Sequence, residues 1–364
     1  MSATDAFAVA GLYDSTSGNA ADRLALLEWL RDLGFTIEEM VEANGRGQLA
    51  SLATDRALVP GRRLTIDEAA AAAGLERDVL VAILRASGFT PTEVQVTEAS
   101  VELFRQFALA RTIFSDEEAL HFTRVMGSSL GRIAEAANSL FLVDIAGPMM
   151  TTAPSEYELA RSSRAAIEIL NDVSAAIGNL FRLHMQRAIE RSQRARQGVR
   201  DSDLVSMAIG FVDLVGFTPL AQSKDTRGLL SLLLEFEGRA YDLVADHGGR
   251  VVKLIGDEVM FTTIEPRAAT EIALNLFESF RARDEVTPRG GLAYGEVLAH
   301  GGDYYGPVVN LASRVADVAV PWEILVTEPV SQRLSDGLVV EPAGRRLLKG
   351  FDEPVALSSV RRPG

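Results

Sequence analysis

The chain has 364 residues, 47% hydrophobic and 24% charged, so its length suggests two domains with enough apolar material for buried cores. It contains no cysteine, which excludes disulfides, thiolate metal ligands and thiol nucleophiles. The formal net charge of -14 gives no general attraction to nucleic acid or to an anionic membrane, so we expect neither as a partner.

The N-terminal residues include Asp5 and Asp14 and no basic segment, which is not the pattern of a secretory signal. No stretch approaches the roughly 18 uninterrupted apolar residues of a membrane-spanning helix. The sequence therefore predicts a cytoplasmic protein without a membrane span.

The first half of the chain reads as almost entirely helical. The segment ADRLALLEWLRDLGF has helical spacing of its apolar residues and stops at Gly34. Further on, Thr65 and Glu68 form a capping box, Gly74 breaks the helix that follows, and a second helix runs to Gly88.

Two interpretations of residues 63–88 are open. A helix-turn-helix would make the protein a transcription regulator whose second half only dimerises or senses a nucleotide. A helical hairpin inside a bundle is the interpretation we favour, because the acidic surroundings and the alanine-rich face offer little to a phosphate backbone.

A long amphipathic helix is predicted from Ser155 to about Gln197, and Gly198 ends it. Its last part is rich in arginine, which suits a solvated helix end. The alternative is a linker that transmits the state of the first domain to the second.

Strands and helices alternate after Arg200. Strands are predicted at 204–214, 250–255, 258–264, 289–301 and 323–329, and helices at 226–248, 267–282 and 310–319. This order predicts an α+β sandwich with helices packed on one face of a mostly antiparallel sheet.

Two carboxylates each follow an apolar strand and lie next to a glycine turn. They are Asp213 in GFVDLVGFT and Asp257 in KLIGDEVM. The first is followed by Gly216, Phe217 and Thr218, a turn that opens a helix and directs free backbone N–H groups toward a phosphate. The two carboxylates could share divalent cations, since Mg²⁺ prefers a few carboxylates plus phosphate oxygens.

Residues 205–362 resemble the class III nucleotidyl cyclase catalytic domain, a ferredoxin-like α+β sandwich. The resemblance rests on motifs in the family's order: FVDLVGFT, KLIGD, GLAYGEV, DYYGPVVNLASR and RRLLKG, the last at the start of the closing strands. GGDYYG at 301–306 also suggests a diguanylate cyclase, but it lacks the Glu-Phe pair after GGD.

The resemblance implies the roles of individual residues. Asp213 and Asp257 would hold two Mg²⁺ or Mn²⁺ ions, and Lys253 with Asp303 would recognise adenine. Guanine-reading relatives use Glu and Cys at those two places, and this chain has no cysteine. For Asn310 and Arg314 the resemblance implies contacts with the ribose and the α-phosphate. For Arg289 and Lys349 it implies contacts with the β- and γ-phosphates.

The implied reaction is cyclisation of ATP to 3′,5′-cyclic AMP and pyrophosphate. In this family the metal carboxylates of a site come from one catalytic domain and the base, ribose and α-phosphate contacts come from its partner. A chain that carries both sets is therefore expected to be a homodimer with two composite sites.

The first half resembles the helical regulatory domain of soluble mycobacterial-type cyclases. That resemblance implies autoinhibition, a response to pH and, in some members, a fatty acid or other lipid bound in the domain. His184 and His300 are the candidate pH sensors. We predict a regulatory domain at 1–196, including the long helix, and a catalytic domain at 197–364.

Overall fold

The computed structural model describes residues 2–147, 154–196, 204–217, 219–220, 225–283, 285–334 and 337–363. The chain forms two compact units, Met1–Arg182 and Leu183–Gly364. Among the described residues, no helix has both the length and the apolar character needed to cross a membrane.

The first unit is helical, as predicted. Its helices are α1 Ala3–Val9, α2 Ala20–Asp32, α3 Ile37–Gly45, α4 Leu52–Leu58, α5 Ile66–Ala73, α6 Arg77–Ala86, α7 Val101–Ala110, α8 Asp116–Phe141 and the start of α9 Glu156–Ala195. Helix α9 has 40 residues and confirms the predicted long helix, while Gly198 and Arg200 lie outside the described residues.

The predicted capping box is present at the start of α5. The Thr65 hydroxyl accepts from the Glu68 amide at 3.2 Å, and the Glu68 carboxylate accepts from the Thr65 amide at 2.8 Å. Gly74 ends the helix at φ 70°, a left-handed conformation that favours glycine. The local signals therefore act as the sequence indicated.

Two apolar cores hold this unit together. One joins α1 to α4 with the start of α9 around Leu26, Leu27 and Met40. The other packs α5 and α6 against α7 and α8 around Leu80 and Phe104. The helix pair at 63–88 thus buries its apolar faces inside a bundle, which is the hairpin interpretation.

The second unit contains one sheet with helices. The strands are β1 Leu204–Val215, β2 Arg250–Ile255, β3 Glu258–Thr263, β4 Thr287–His300, β5 Asp303–Tyr305, β6 Ile324–Thr327, β7 Val339–Arg346 and β8 Val355–Arg361, and the helices after α9 are α10 Thr226–Asp246, α11 Pro266–Ser279, α12 Pro307–Val318 and α13 Glu328–Ser331. The sheet order is β2-β3-β1-β4-β6-β8-β7, with β5 paired to β4. Only the β4–β6 pair is parallel among the described strand pairs, so the predicted mostly antiparallel sheet is confirmed.

Helices cover both faces of the sheet, not one face as the sequence suggested. Successive residues of β1 point to opposite sides. Ala208 and Val212 pack with α10 and α11, whereas Met207 and Ile209 pack with α12. The prediction was wrong because near-continuous burial of β1 reflects two covered faces, a pattern typical of strands inside layered folds.

Gly291 on β4 allows α12 to approach the sheet closely. A Cβ added there would lie 2.1 Å from the Ala316 backbone nitrogen. Only glycine fits at this contact, so this position sets the distance between the sheet and α12.

Candidate active site

Asp213 and Asp257 lie side by side at one end of the sheet. Asp213 is near the end of β1 and is paired in register with Glu258 on β3 and with Arg289 on β4. Asp257 occupies the turn between β2 and β3, where its carbonyl accepts from the Leu214 amide at 3.2 Å. The turn between β2 and β3 thus places the second carboxylate beside the first.

The turn after β1 closes this end of the site. Gly216 has φ 95°, and a Cβ there would lie 3.1 Å from the Glu285 carbonyl oxygen. Phe217 packs against the apolar core of the unit. These contacts set the positions of Gly216 and Phe217, two residues of the predicted phosphate-binding turn. The third, Thr218, lies outside the described residues.

A cavity of about 370 Å³ is formed here. It brings together five of the residues singled out in the sequence, and its lining is Asp213, Leu214, Val215, Gly216, Phe217, Pro219, Asp257 and Arg289.

Arg289 binds a carboxylate in this structure. Its Nη2 and Nε lie 2.8 and 2.9 Å from the Asp213 Oδ2. Its Nη1 donates to the Asp317 carbonyl at 2.9 Å. Arg289, which was expected to bind the β- and γ-phosphates, therefore forms an ion pair with Asp213.

The negative charges of the carboxylates at this end of the sheet are only partly balanced by nearby positive charge. Burial raises the pKa of Asp257, and the proximity of Asp213 raises it further. Burial, followed by repulsion from Asp213 and Asp317, raises the pKa of Glu258 to about 7. These partly buried carboxylates lie close together and repel one another, and their oxygens fit a divalent metal such as Mg²⁺ or Mn²⁺.

The described residues hold no group of three or more histidine, aspartate or glutamate side chains arranged to ligate a metal. Asp213 and Asp257, the two predicted metal ligands, are fewer than such a group requires. A bound ion would complete its coordination with oxygens from substrate or water.

Lys253 and Asp303, which the sequence predicts to share one role, form an ion pair. The Lys253 Nζ lies 2.6 Å from the Asp303 Oδ2. Lys253 is on β2, directly after an irregularity in its pairing with β3, and Asp303 begins β5. The Asp303 Oδ1 also accepts from the Tyr304 amide at 2.8 Å, which fixes the carboxylate.

Asn310 and Arg314 lie one helical turn apart on α12, so they share a face. The Arg314 Nη1 lies 2.7 Å from the Asp317 Oδ2. Because the Asp317 carbonyl also accepts from Arg289, Asp317 connects α12 to the Asp213 cluster.

Four of the six predicted residues form two clusters, Asp213 with Asp257 and Lys253 with Asp303. The other two, Asn310 and Arg314, lie on α12. Within the described part of the chain, no hydrogen bond or ion pair joins the Lys253–Asp303 pair to either metal carboxylate.

The remaining predicted residues lie at separate places. Lys349 is exposed in the turn after β7, so RRLLKG ends that strand and does not begin it. His300 is exposed and paired in register with Asp303, whereas His184 is exposed on α9.

Sequence reasoning missed two residues, Glu258 and Asp317. Glu258 directly follows Asp257 in KLIGDEVM, so its position next to a metal carboxylate was the available signal. Asp317 follows Arg314 by three positions, a spacing at which helical side chains meet.

Comparisons with known proteins agree with this geometry. Residues 199–357 match the adenylate and guanylate cyclase catalytic domain, and residues 5–189 match the adenylate cyclase regulatory domain. The chain therefore belongs to the class III nucleotidyl cyclase family and carries the regulatory domain of adenylate cyclases. Both resemblances found in the sequence are thus confirmed.

Individual relatives cover most of the chain. An uncharacterised protein of Mycobacterium tuberculosis (strain H37Rv) is 36% identical over 96% of this chain and 92% of its own length. An adenylate cyclase of Streptomyces coelicolor is 32% identical over 75% of this chain and 72% of its own. A protein of M. tuberculosis (strain CDC 1551) named as a pH-sensitive adenylate cyclase is 29% identical over 94% and 88%.

Proposed function

We propose that this protein is an adenylate cyclase that converts ATP to 3′,5′-cyclic AMP and pyrophosphate. The observation that carries the proposal is the 2.6 Å ion pair between Lys253, on the strand that leads into Asp257, and Asp303, at the start of β5. The 3′-hydroxyl of the ribose loses its proton to water and its oxygen bonds to the α-phosphorus. The bond from that phosphorus to the bridging oxygen of the β-phosphate breaks, and pyrophosphate leaves with those electrons.

Adenine selection follows from the chemistry of the pair. A lysine ammonium only donates hydrogen bonds and a carboxylate only accepts them. Lys253 would donate to adenine N1, and Asp303 would accept from the N6 amine. Guanine reverses both groups at these positions, so the pair favours ATP over GTP.

Asp213 and Asp257 would hold two Mg²⁺ or Mn²⁺ ions. Such ions lower the pKa of the attacking hydroxyl and stabilise negative charge on the phosphates. The backbone N–H groups at Gly216 and Phe217, together with Thr218, would bind phosphate oxygens. Arg289 would leave Asp213 for the β- and γ-phosphates when a metal takes its place, and Lys349 is proposed as a second contact there.

Asn310 and Arg314 would act on the reacting centre itself. Asn310 orients the ribose, and the Arg314 guanidinium meets the charge that develops on the α-phosphate oxygens. Arg314 must first leave Asp317, an exposed ion pair of a kind that contributes at most about 1 kcal/mol.

We propose a homodimer in which each site combines the metal carboxylates of one subunit with Lys253, Asp303, Asn310 and Arg314 of the other. Lys253 and Asp303 bind each other and Arg314 binds Asp317, so none of these side chains contacts Asp213 or Asp257 directly among the described residues, which supports this arrangement. Two identical chains related by a twofold axis then form two equivalent sites.

We further propose that residues 1–196 form an autoinhibitory domain and residues 197–364 the catalytic domain. The matched ranges 5–189 and 199–357 flank this boundary. We also propose a cytoplasmic location, because ATP, the proposed substrate, is available in the cytoplasm.

Two signals are proposed for the regulatory domain. An apolar cavity of about 870 Å³ between α4, α8 and α9 has walls that suit the chain of a fatty acid, and the buried Thr54 hydroxyl beside it has no partner among the described atoms. Protonation of His184 on α9, or of His300 beside Asp303, would give a response to pH. His184→Gln should flatten the pH profile if His184 is the sensor, and an unchanged profile would exclude it.

Complementation between inactive variants tests the composite site. Asp257→Asn and Arg314→Ala each disable a different half, so an equal mixture that exchanges subunits should recover about a quarter of wild-type cyclic AMP formation. Asp213→Asn mixed with Asp257→Asn is the matched control, because every site then lacks a metal carboxylate. No recovery in the first mixture would contradict the composite site, and no cyclic AMP from the wild-type chain with ATP and Mn²⁺ would contradict the activity itself.

Residues 197–364 test the autoinhibition. Cyclic AMP formation by this fragment should exceed that of the full chain or lose its dependence on pH. An equal or lower activity with the same pH profile would contradict autoinhibition.

A further inference from the structure

A second groove in the catalytic unit lies apart from the cavity at Asp213. Its volume is about 970 Å³, and it shares no lining residue with that cavity. The floor is apolar and the rim is basic: Phe277, Trp322, Ile324 and Val360 form the floor, and Arg281, Arg283, Arg361 and Arg362 lie around it. Each of the four arginines is paired with a glutamate, and one of these glutamates, Glu278, also lines the groove.

Trp322 is held in a strained backbone conformation at this groove. Its φ of 65° is the only positive value at a non-glycine residue among those described. A left-handed conformation is unfavourable for an L-residue, and glycine would avoid that cost. The Trp322 amide donates to the Pro288 carbonyl at 2.8 Å, and its ring meets Phe277 edge to face at 6.2 Å.

The indole is nevertheless accessible to a ligand, since Trp322 is 41% exposed. Strained residues concentrate at ligand clamps, where the side chain serves a purpose that glycine cannot serve. A half-exposed aromatic ring on a fixed backbone is a surface on which a planar ring can stack.

Three of the four arginines around the groove hold exposed ion pairs that a ligand can replace, while Arg283 binds the half-buried Glu235. Arg281 pairs with Glu278, Arg361 with Glu341, and Arg362 with Glu271. The three arginine side chains are 72%, 55% and 44% exposed, and exposed pairs of this kind contribute little. A phosphate can replace the glutamates, because a guanidinium binds two of its oxygens at once.

The groove is linked to the active site through a short piece of backbone. Thr287 lines the groove, and the carbonyl of Glu285 lies against Gly216. Trp322 holds the Pro288 carbonyl, and the next residue is Arg289, which binds Asp213. A ligand that shifts Trp322 would therefore act on the metal site through residues 285–289.

We propose that this groove is a second nucleotide-binding site, separate from the substrate site. The base stacks on Trp322 and the phosphates bind the arginines around the groove. The groove would sense nucleotide concentration and adjust the position of Arg289. This inference stands beside the proposed function, since binding at the groove requires no cyclisation.

Tryptophan fluorescence of the full chain gives a direct test. The chain has two tryptophans, so Trp29→Phe leaves Trp322 as the only reporter. Lys253→Ala and Asp303→Ala in the same chain disable base recognition at the substrate site, and EDTA prevents turnover. ATP should then quench Trp322 saturably.

Arg361→Gln with Arg362→Gln should weaken that quenching at least tenfold, whereas the exposed Arg345→Gln outside the groove should leave it unchanged. Pyrophosphate should bind at least tenfold more weakly than ATP, because it has no base to stack. The proposal is overturned if ATP gives no saturable quenching, if the double arginine change has no effect, or if pyrophosphate binds as well as ATP. Cyclic AMP formation by the unmodified chain is assayed separately, so failure here leaves the proposed activity unaffected.

Discussion

The two clusters of the catalytic unit differ in how the fold holds them. Asp213 lies between two neighbouring strands and its side chain is 18% exposed, so strand register and burial fix its place. Lys253, within β2, and Asp303, at the start of β5, have side chains that are 41% and 26% exposed. The cluster of Asp213 and Asp257 is therefore the rigid cluster, and that of Lys253 and Asp303 is the more adaptable cluster.

The largest expected effect is the loss of a metal carboxylate. Asp257→Asn should reduce cyclic AMP formation on the order of 1,000-fold, because an amide is a far weaker ligand for a divalent ion. Asp246→Asn, at the exposed end of α10, is the matched control and should retain full activity. If Asp257→Asn kept more than a tenth of the activity, the assignment of the rigid cluster to metal binding would fail.

A change of base preference should follow from the adaptable cluster. Lys253→Glu combined with Asp303→Cys removes the adenine contacts and installs groups that suit guanine. We expect kcat/KM for ATP to fall about 100-fold and the ratio of GTP to ATP turnover to rise. A parallel loss with both nucleotides would show that the pair serves the structure and not the selection of the base.

Arg289 allows the rigid cluster to be examined without catalysis. Its guanidinium competes with a metal for Asp213, so Arg289→Gln should tighten Mn²⁺ binding about tenfold in the absence of nucleotide. Electron paramagnetic resonance of free Mn²⁺ measures this directly, with Arg345→Gln as the control. Weaker binding in the variant would mean that Arg289 organises the carboxylates instead of opposing the ion.

The smallest effect concerns the pH dependence of stability. The pKa of Glu258 is raised from 4.5 to about 7, so between these values the unfolded chain loses this proton while the folded protein keeps it. Stability therefore falls as pH rises through this window. Since the residue is half-buried, Glu258→Gln should raise the free energy of unfolding by only about 1 kcal/mol at pH 8 and have no effect near pH 4.

Urea unfolding in EDTA at the two pH values is the measurement. Glu353→Gln, exposed between β7 and β8, is the control. A gain that is equal at both pH values would assign the effect to packing and not to ionisation.

The sequence predicted the catalytic unit more sharply than the regulatory one for a physical reason. Metal and base recognition require particular residue types, such as Asp257 and Lys253, at fixed distances from turns. Helical packing requires only apolar spacing, which many bundles share. The sequence thus identified the helices of the first unit and their caps, but not which faces would enclose a cavity.

Other features depend on contacts that no local pattern encodes. The ion pair between Arg289 and Asp213 arises from the register of β1 and β4, and the packing of α12 on the second face of the sheet arises from the order of the strands. The raised pKa of Glu258 likewise reflects its burial and, after that, the charges of Asp213 on β1 and Asp317 on α12. Such features follow from tertiary structure alone.

Gly291 has a consequence for the evolution of this protein. Any side chain there would push α12 away from β4 and carry Asn310 and Arg314 with it. In a saturation library scored for cyclic AMP formation, position 291 should tolerate glycine alone, although it lies on neither cluster. Residues that contact only the ligand can be replaced when the substrate changes. Position 291 must remain glycine in any related protein that keeps α12 packed on β4 in this way.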